Sequence, residues 1–320
     1  MTRRQEIICL TGALALSAGM ASAQEMTFGF VPAAMQYPYN VSAADGFREA
    51  AEEVGARAII LDPQGDVQAQ GNAIDDLLAQ GVDGVGFLPL DSVVSESFVE
   101  RITGAGLPSA VMSIQVGDPA TRELRDVYPD LNALIAPDDT IAGAQSAKLA
   151  MELYQGDGPA KIAIIEGAPG IAVVEQRSEG FLAELDANGF AYEIVGSQPT
   201  DWTAEKGESI CQNFLTGTPD LDVIFSHADD MALGCARAIE AAGSEAILVA
   251  TSGGSSLGNA AIAAGEIDGS VCVRPKQMGR MVFEALHAAA TGENTEKARF
   301  LTIDLPIITG DTLDDCPAEW

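Results

Sequence analysis

Two spacings in this chain could support catalysis. Gly254-Ser255-Ser256-Leu257-Gly258 fits G-x-S-x-G, and it lies after an apolar strand run and before a helical pattern. That is the context in which a nucleophilic serine works. A hydrolase of that kind also needs a histidine base later in the chain. Only His287 follows, and it sits amid apolar residues of a helical pattern over 277–289. His227-Ala228-Asp229 could ligate a metal. With one other histidine in the chain, a three-ligand set would have to recruit distant carboxylates. No P-loop occurs, and no G-x-G-x-x-G follows the first strand run. Enzyme, metal and nucleotide chemistry are therefore weakly supported, and no cofactor is expected.

Binding chemistry is better provided for. Val223 to Phe225 reads as a strand, Ser226 to Asp230 as a polar knot, and Met231 to Gly243 as a helix. Asp229 and Asp230 can cap that helix, since carboxylates accept from free N–H groups of a first turn. Open α/β sheets hold ligands where strands end at helix starts. An ordinary capped turn explains the same letters. The first strand run is followed by Tyr37-Pro38-Tyr39-Asn40. Here Pro38 stiffens a turn that presents two tyrosines at a strand's C-terminal end. Tyrosines packed at a loop base would look the same.

The elements that must position these residues alternate along the chain. Apolar strand runs fall near 28–31, 58–61, 85–88, 109–112, 134–136, 162–165, 192–195, 223–225, 247–250 and 269–273. Helical patterns lie between them, over 41–54, 67–80, 140–154, 173–188, 204–215 and 277–289. Continuous apolar strands with crossover helices predict parallel sheet covered on both faces. Ten strands exceed one ordinary doubly wound domain, so the fold is read as α/β with two such lobes. An aperiodic polar stretch over 117–130 reads as a surface loop ahead of the first lobe-to-lobe crossing.

Charge and cysteine usage narrow the partners. The net charge is −30, from 17 basic and 47 acidic residues. Such a surface repels nucleic acid and anionic lipid. Residues 1–23 read as a secretory leader: Arg3 and Arg4, an apolar run over 7–18, and Ala21-Ser22-Ala23 before Gln24. Arg3-Arg4 also fits a twin-arginine leader loosely, but a chance pair in a Sec leader is the favoured reading, and Cys9 is too early to be a lipidation site. Cys211, Cys235, Cys272 and Cys316 lie beyond the leader, too scattered for a disulfide scaffold or CxxC metal site. Cys211 and Cys235 both sit on helices flanking the strand 223–225. A bridge between them is feasible, and two buried free thiols are the commoner state for such cysteines.

The words of the chain resemble sugar-binding periplasmic proteins of the ribose-binding type. Asp229-Asp230-Met231-Ala232-Leu233-Gly234 carries the resemblance, with Ser197-Gln198-Pro199-Thr200-Asp201-Trp202 and Gln212-Asn213-Phe214-Leu215-Thr216 upstream. It extends from about Phe28 to Ile308. The resemblance implies two lobes joined by a three-crossing hinge. One lobe takes about 25–136 plus 274–302 and the other 137–273 plus 303–320. It implies aromatic residues that clamp a sugar, which fall at Tyr39, Asn40 and, in the other lobe, Trp202. Tyr37 stands where the family has an asparagine.

Departures from the family pattern are as informative. Ser113-Ile114 replace an Asp-Arg pair that grips hydroxyls, and Leu88 replaces an asparagine. Glu175 stands where a ligand arginine is expected, although Arg177 survives two residues on, ahead of Gly180-Phe181. Ala228, Ser252 and Val273, beside Arg274, replace further ligand amides and a carboxylate. Asp138, Asp139, Glu175, Asp229 and Ser252 remain to accept hydroxyl hydrogen bonds. The resemblance thus implies a polyol, deoxy sugar, cyclitol or small furanose derivative rather than ribose. It implies a periplasmic monomer that delivers its solute to a membrane ABC permease, or a sensor that presents it to a chemoreceptor or histidine kinase. The ligand lobe of a lac-type repressor shares the fold, but the leader, the acidity and the lack of a helix-turn-helix argue against it. Trp320, as the last residue of the sequence, is expected to be mobile.

The leader reading predicts an exported chain that begins near Gln24. Mass spectrometry of the secreted protein should find that N-terminus; a chain that keeps Met1 in the cytoplasmic fraction would refute it.

Overall fold

A computed structural model describes residues 25–320; the stretch over 1–23 that reads as a leader lies outside the described residues. The chain opens with β1 (Thr27–Val31), α1 (Pro38–Glu53), β2 (Arg57–Ile60), α2 (Val67–Gln80), β3 (Gly84–Phe87), α3 (Val94–Gly104), β4 (Ser109–Met112) and β5 (Ala133–Ile135). It crosses to a second sheet through α4 (Asp139–Leu153), β6 (Ala160–Glu166), α5 (Ala172–Ala187), β7 (Tyr192–Pro199), α6 (Ala204–Gly217), β8 (Val223–Ser226), α7 (Asp229–Ala242), β9 (Ile247–Gly253), α8 (Ser256–Ala264) and β10 (Gly269–Cys272). It returns through α9 (Pro275–Ala290) and β11 (Arg299–Leu301), then crosses a third time to β12 (Ile307–Ile308). The strand orders are β11-β5-β4-β3-β1-β2 and β12-β10-β9-β8-β6-β7. Every pairing is parallel except that of β12 with β10. The fold is two α/β lobes with parallel sheets, as the alternating apolar runs predict.

Each sheet is covered on both faces, which is why β3, β4, β5 and β8 are buried along their whole length. In the first lobe, α9 returns to fill the face between α1 and the sheet. Phe283 meets Phe28 edge-on at 5.2 Å and Phe47 at 5.5 Å, while Phe47 stacks on Phe30 at 5.1 Å. In the second lobe, Phe181 of α5 stacks on Phe225 of β8 with ring centres 4.2 Å apart.

Three helix pairs cross at reciprocal glycines. A Cβ on Gly143 would stand 2.0 Å from the Arg177 carbonyl oxygen, and one on Gly180 the same distance from that of Thr140. Gly46 with Gly279 joins α1 to α9 in this way, and Gly207 with Gly234 joins α6 to α7. Glycine costs a helix roughly 1 kcal/mol against alanine, so its repeated use here answers a need for close approach.

The structure departs from the sequence reading at four places. Tyr39 and Asn40 are not in a turn: Pro38 opens α1, because its missing N–H costs nothing at a helix start. Strands β11 and β12, and helix α3, add to the elements read from periodicity. The four cysteines are paired rather than free, as Cys211–Cys235 between α6 and α7 and as Cys272–Cys316. The first pair follows from the glycine crossing, which brings the two Cα atoms to 5.2 Å. Trp320 is not a loose end; its main-chain oxygen accepts from the Ser256 N–H at 2.5 Å and the Ser256 Oγ at 2.8 Å.

Gly180→Ala should destabilise the protein by about 1–3 kcal/mol, because backbone atoms cannot yield to the new methyl group. Gly104→Ala, in a helix with open space around it, should be neutral or stabilising by up to about 1 kcal/mol. Urea denaturation of the two variants checks the contrast; equal effects would dismiss the crossing as a constraint.

Candidate functional site

Strained backbone gathers at the C-terminal ends of the strands. Ser113, just after β4, has φ 64°; Trp202, after β7, has φ 67°; Ser252, near the end of β9, has φ 52°. Left-handed conformations are costly for residues other than glycine, and they persist where surrounding structure imposes them. Two further cases, Gln64 and Ala298, lie in other loops.

The second lobe supplies a buried ionic centre. Asp139 opens α4 and Arg177 lies on the second turn of α5; the Arg177 Nε donates to Asp139 Oδ1 at 2.6 Å. Asp139 is 1% exposed and Arg177 7%. Burial raises the Asp139 carboxyl above its ordinary range, against the opposing pull of Arg177. The Arg177 Nη1 donates to the His227 carbonyl at 2.5 Å, which also accepts from Thr251 Oγ1 at 2.6 Å. So one guanidinium ties α5 to the start of α4 and to the loop after β8. Asp139 Oδ2 has no hydrogen-bond partner.

Trp202 stands beside this centre. The Arg177 guanidinium carbon lies 5.8 Å from the Trp202 ring centre. The indole rests where Gly167, at the end of β6, lacks a side chain: a Cβ there would be 1.9 Å from Trp202 Cη2. His227 is fully buried, and burial with the Arg177 charge drives its ring well below the ordinary histidine range. Its Nδ1 accepts from the Gly167 N–H at 3.5 Å, and its Nε2 faces Ser178 Oγ at 3.2 Å. The ring packs against Phe225, with ring centres 5.1 Å apart.

The first lobe faces this centre with Tyr39. Its hydroxyl bonds Ser113 Oγ at 2.9 Å and reaches Met278 Sδ at 3.8 Å. Burial pushes the Tyr39 phenol up to about 12, while the Ser113 bond and the Arg177 charge pull the other way. Asn40, one residue on, is buried, and its Oδ1 has no partner. Tyr39 of one lobe therefore lies within electrostatic reach of Asp139 and Arg177 of the other, with Trp202 beside that pair.

The remaining candidates are placed differently. Tyr37 is exposed at the start of α1, and Glu175 is exposed on α5. Asp138 caps α4 through Oδ1 and pairs with Arg125 at 2.8 Å through Oδ2. Arg274 donates to the Asp315 carbonyl at 2.7 Å. Asp229 is fully buried, and its oxygens accept from Ser270 at 2.8 Å and Ser255 at 3.2 Å. Ser252 is buried at the end of β9. Sequence reasoning missed Gly167, Ser178 and Met278, which touch the named residues. Only Gly167 left a trace, as a glycine directly after a strand.

The two catalytic spacings dissolve into packing. Ser255 caps α8 through the Gly258 N–H, and Gly258 leaves room for the Asp229 carboxylate, which a Cβ there would meet at 2.0 Å. His287 lies in the other lobe against Phe28 and Phe283. No group of three metal-ligating side chains occurs among the described residues.

Burial lifts the Asp229 carboxyl to about 7, far above an unfolded aspartate, and Asp230 adds to the rise. A raised acid stabilises the fold fully below about pH 4 and loses that contribution as pH rises through about 7. Asp229→Asn should therefore gain stability relative to the parent between pH 5 and pH 8, on the order of a few kcal/mol. Parallel unfolding curves for both proteins across that range would show that Asp229 is ionised in the fold.

Comparison with known proteins agrees with this architecture. The family described as periplasmic binding protein domain matches residues 28–294. The chain is 30% identical over 287 residues to the ribose import binding protein of Bacillus subtilis, covering 89% of this chain and 87% of that one. It is 26% identical over 273 residues to the D-allose-binding periplasmic protein of Escherichia coli, covering 84% and 85%. A crystal structure from Mycobacterium smegmatis in complex with β-D-fucofuranose superposes with TM-score 0.79 at 26% identity, covering 91% of this chain and 93% of the other. The chain thus belongs to the periplasmic binding proteins, in their ribose-binding type, and is a binding protein rather than an enzyme.

Proposed function

We propose that the protein is exported to the periplasm and captures a small sugar, polyol or related carbohydrate between its lobes for delivery to an ABC permease. Residues 25–136 with 274–302 form one moving body in this reading, and 137–273 with 303–320 the other. The observation that carries it is the buried Arg177–Asp139 pair with one oxygen unpartnered, which lies beside the left-handed Trp202 and within electrostatic reach of Tyr39. Strain and an unanswered acceptor at strand ends are what a preorganised polar site requires.

Tyr39, Asn40 and Ser113 line the ligand from the first lobe. Asp139, Arg177, Trp202 and Ser252 line it from the second. Tyr37, Asp138, Glu175 and Arg274 form the rim, and Asp229 acts through Ser255 and Ser270. Relatives named for ribose and D-allose support a monosaccharide-sized ligand. The structure in complex with β-D-fucofuranose and that of an arabinose ABC transporter component from Shewanella, bound to L-arabinofuranose, support a furanose. Loss of the Asp-Arg pair at Ser113-Ile114 favours a solute with fewer hydroxyls to grip than ribose.

A thermal-shift screen with D-ribose, D-allose, L-arabinose, D-galactose, D-fucose and myo-inositol tests this. A bound solute at a hundred times its Kd should add about 2.7 kcal/mol of stability. Trp202→Ala should then weaken that solute by on the order of 1–3 kcal/mol in calorimetry, the scale of planar rings stacked on aromatics, and Trp202→Phe by less. No shift with any solute, or undiminished binding by Trp202→Ala, counts against the site.

A further inference from the structure

The last five residues join the two lobes. Cys316 is fixed to the second lobe by its bridge to Cys272 at the end of β10. The Asn259 side chain donates to the Cys316 carbonyl at 2.8 Å. The Glu319 N–H donates to the Gly254 carbonyl at 3.1 Å, and Ser256 of α8 gives both its N–H and its hydroxyl to the Trp320 main-chain oxygen. These contacts all lie on the second lobe.

The side chains reach the other way. Glu319 Oε2 accepts from the Lys276 N–H at 2.9 Å, in the first turn of α9. A carboxylate is well placed there, against free N–H groups and the positive end of the helix dipole. The Trp320 ring meets Tyr39 edge-on, with centres 5.6 Å apart. Tyr39 is the residue whose hydroxyl rests on Ser113 at the strand end. Glu319 and Trp320 also wall a cavity of about 430 Å³ with Met35, Pro38, Val41 and Ser42 at the start of α1. The segment therefore bridges α8 of the second lobe to α1 and α9 of the first.

We propose that residues 316–320 are a clasp, in which Glu319 and Trp320 are positioning residues: they hold α9 and α1 toward α8 and fix the Tyr39 ring at the ligand site. The proposal rests on the reading that ligand binds between the lobes. Opening the lobes draws α1 and α9 away from α8. Either Lys276 and Tyr39 then leave the clasp, or the clasp opposes the motion. Breaking its first-lobe contacts shifts the ligand-free protein toward wider arrangements and leaves Tyr39 free to rotate.

The test uses the full chain as parent, Glu319→Ala/Trp320→Ala, and Trp320→Phe. In hydrogen exchange without ligand, the Lys276 amide should exchange about tenfold faster in the double variant, the scale of one net hydrogen bond. Small-angle scattering should show a larger radius of gyration in that variant, and Trp320→Phe should keep the parent radius because a phenyl edge preserves the contact. Calorimetry with the six screened solutes should show roughly five- to tenfold weaker binding by the double variant. An unchanged radius together with unchanged Lys276 exchange overturns the clasp, whether or not any solute binds. A larger radius and faster exchange in a protein whose parent binds none of the solutes sustains the clasp while the ligand reading falls. Tight parent binding that the double variant retains, at an unchanged radius, overturns the clasp and leaves the ligand reading standing.

Discussion

The ion pair between Arg177 and Asp139 exists because two methyl groups are missing beside it. Gly143 and Gly180 let α4 and α5 touch backbone to backbone, with the Arg177 and Thr140 carbonyls as the points of contact. Thr140 follows Asp139 directly, so the crossing itself brings carboxylate and guanidinium to 2.6 Å. Taking both charges out of water is expensive, and only good geometry with added hydrogen bonds offsets it. The His227 carbonyl supplies one such bond to Arg177. Trp202, under the guanidinium, inherits its place from the same crossing.

The fold was largely legible from periodicity, because strands buried on both faces are written as unbroken apolar runs. Strands β11 and β12 were not legible, being three and two residues long; pairing with β5 and β10 makes them strands, not their own sequence. The site was legible as residue types and illegible as partners. Asp139 and Arg177 could each be named, but they lie 38 positions apart, and nothing local joins them. Trp202 could be named without Gly167, whose missing side chain gives it room. The cysteine pairs and the docking of Trp320 depend on distances that only tertiary packing sets.

The serine motif shows how such a spacing arises without chemistry. Gly258 is small because the Asp229 carboxylate occupies the space of its side chain. Ser255 is a cap that also donates to that carboxylate. Gly254 takes φ 101°, which lets the chain turn from β9 into α8. Each letter of G-x-S-x-G answers a packing need, and the histidine that would give the motif a reaction lies in the other lobe.

The return of α9 to the first sheet also has a consequence in time. Met278, Val282, Phe283 and Leu286 belong to the same core cluster as Phe28, Phe30 and Phe47, yet some 250 positions separate them. A chain delivered N-terminus first presents the first lobe's strands early, but they wait for α9 and β11 before their apolar face is sealed. The strands β6 to β10 form one continuous stretch and lack only β12 and Cys316. Long-range contacts form slowly, and domains generally fold as they emerge. The lobe that begins first in the chain is therefore completed only when its last quarter has been made, and a chain truncated before α9 leaves an oily face with nothing of its own to cover it.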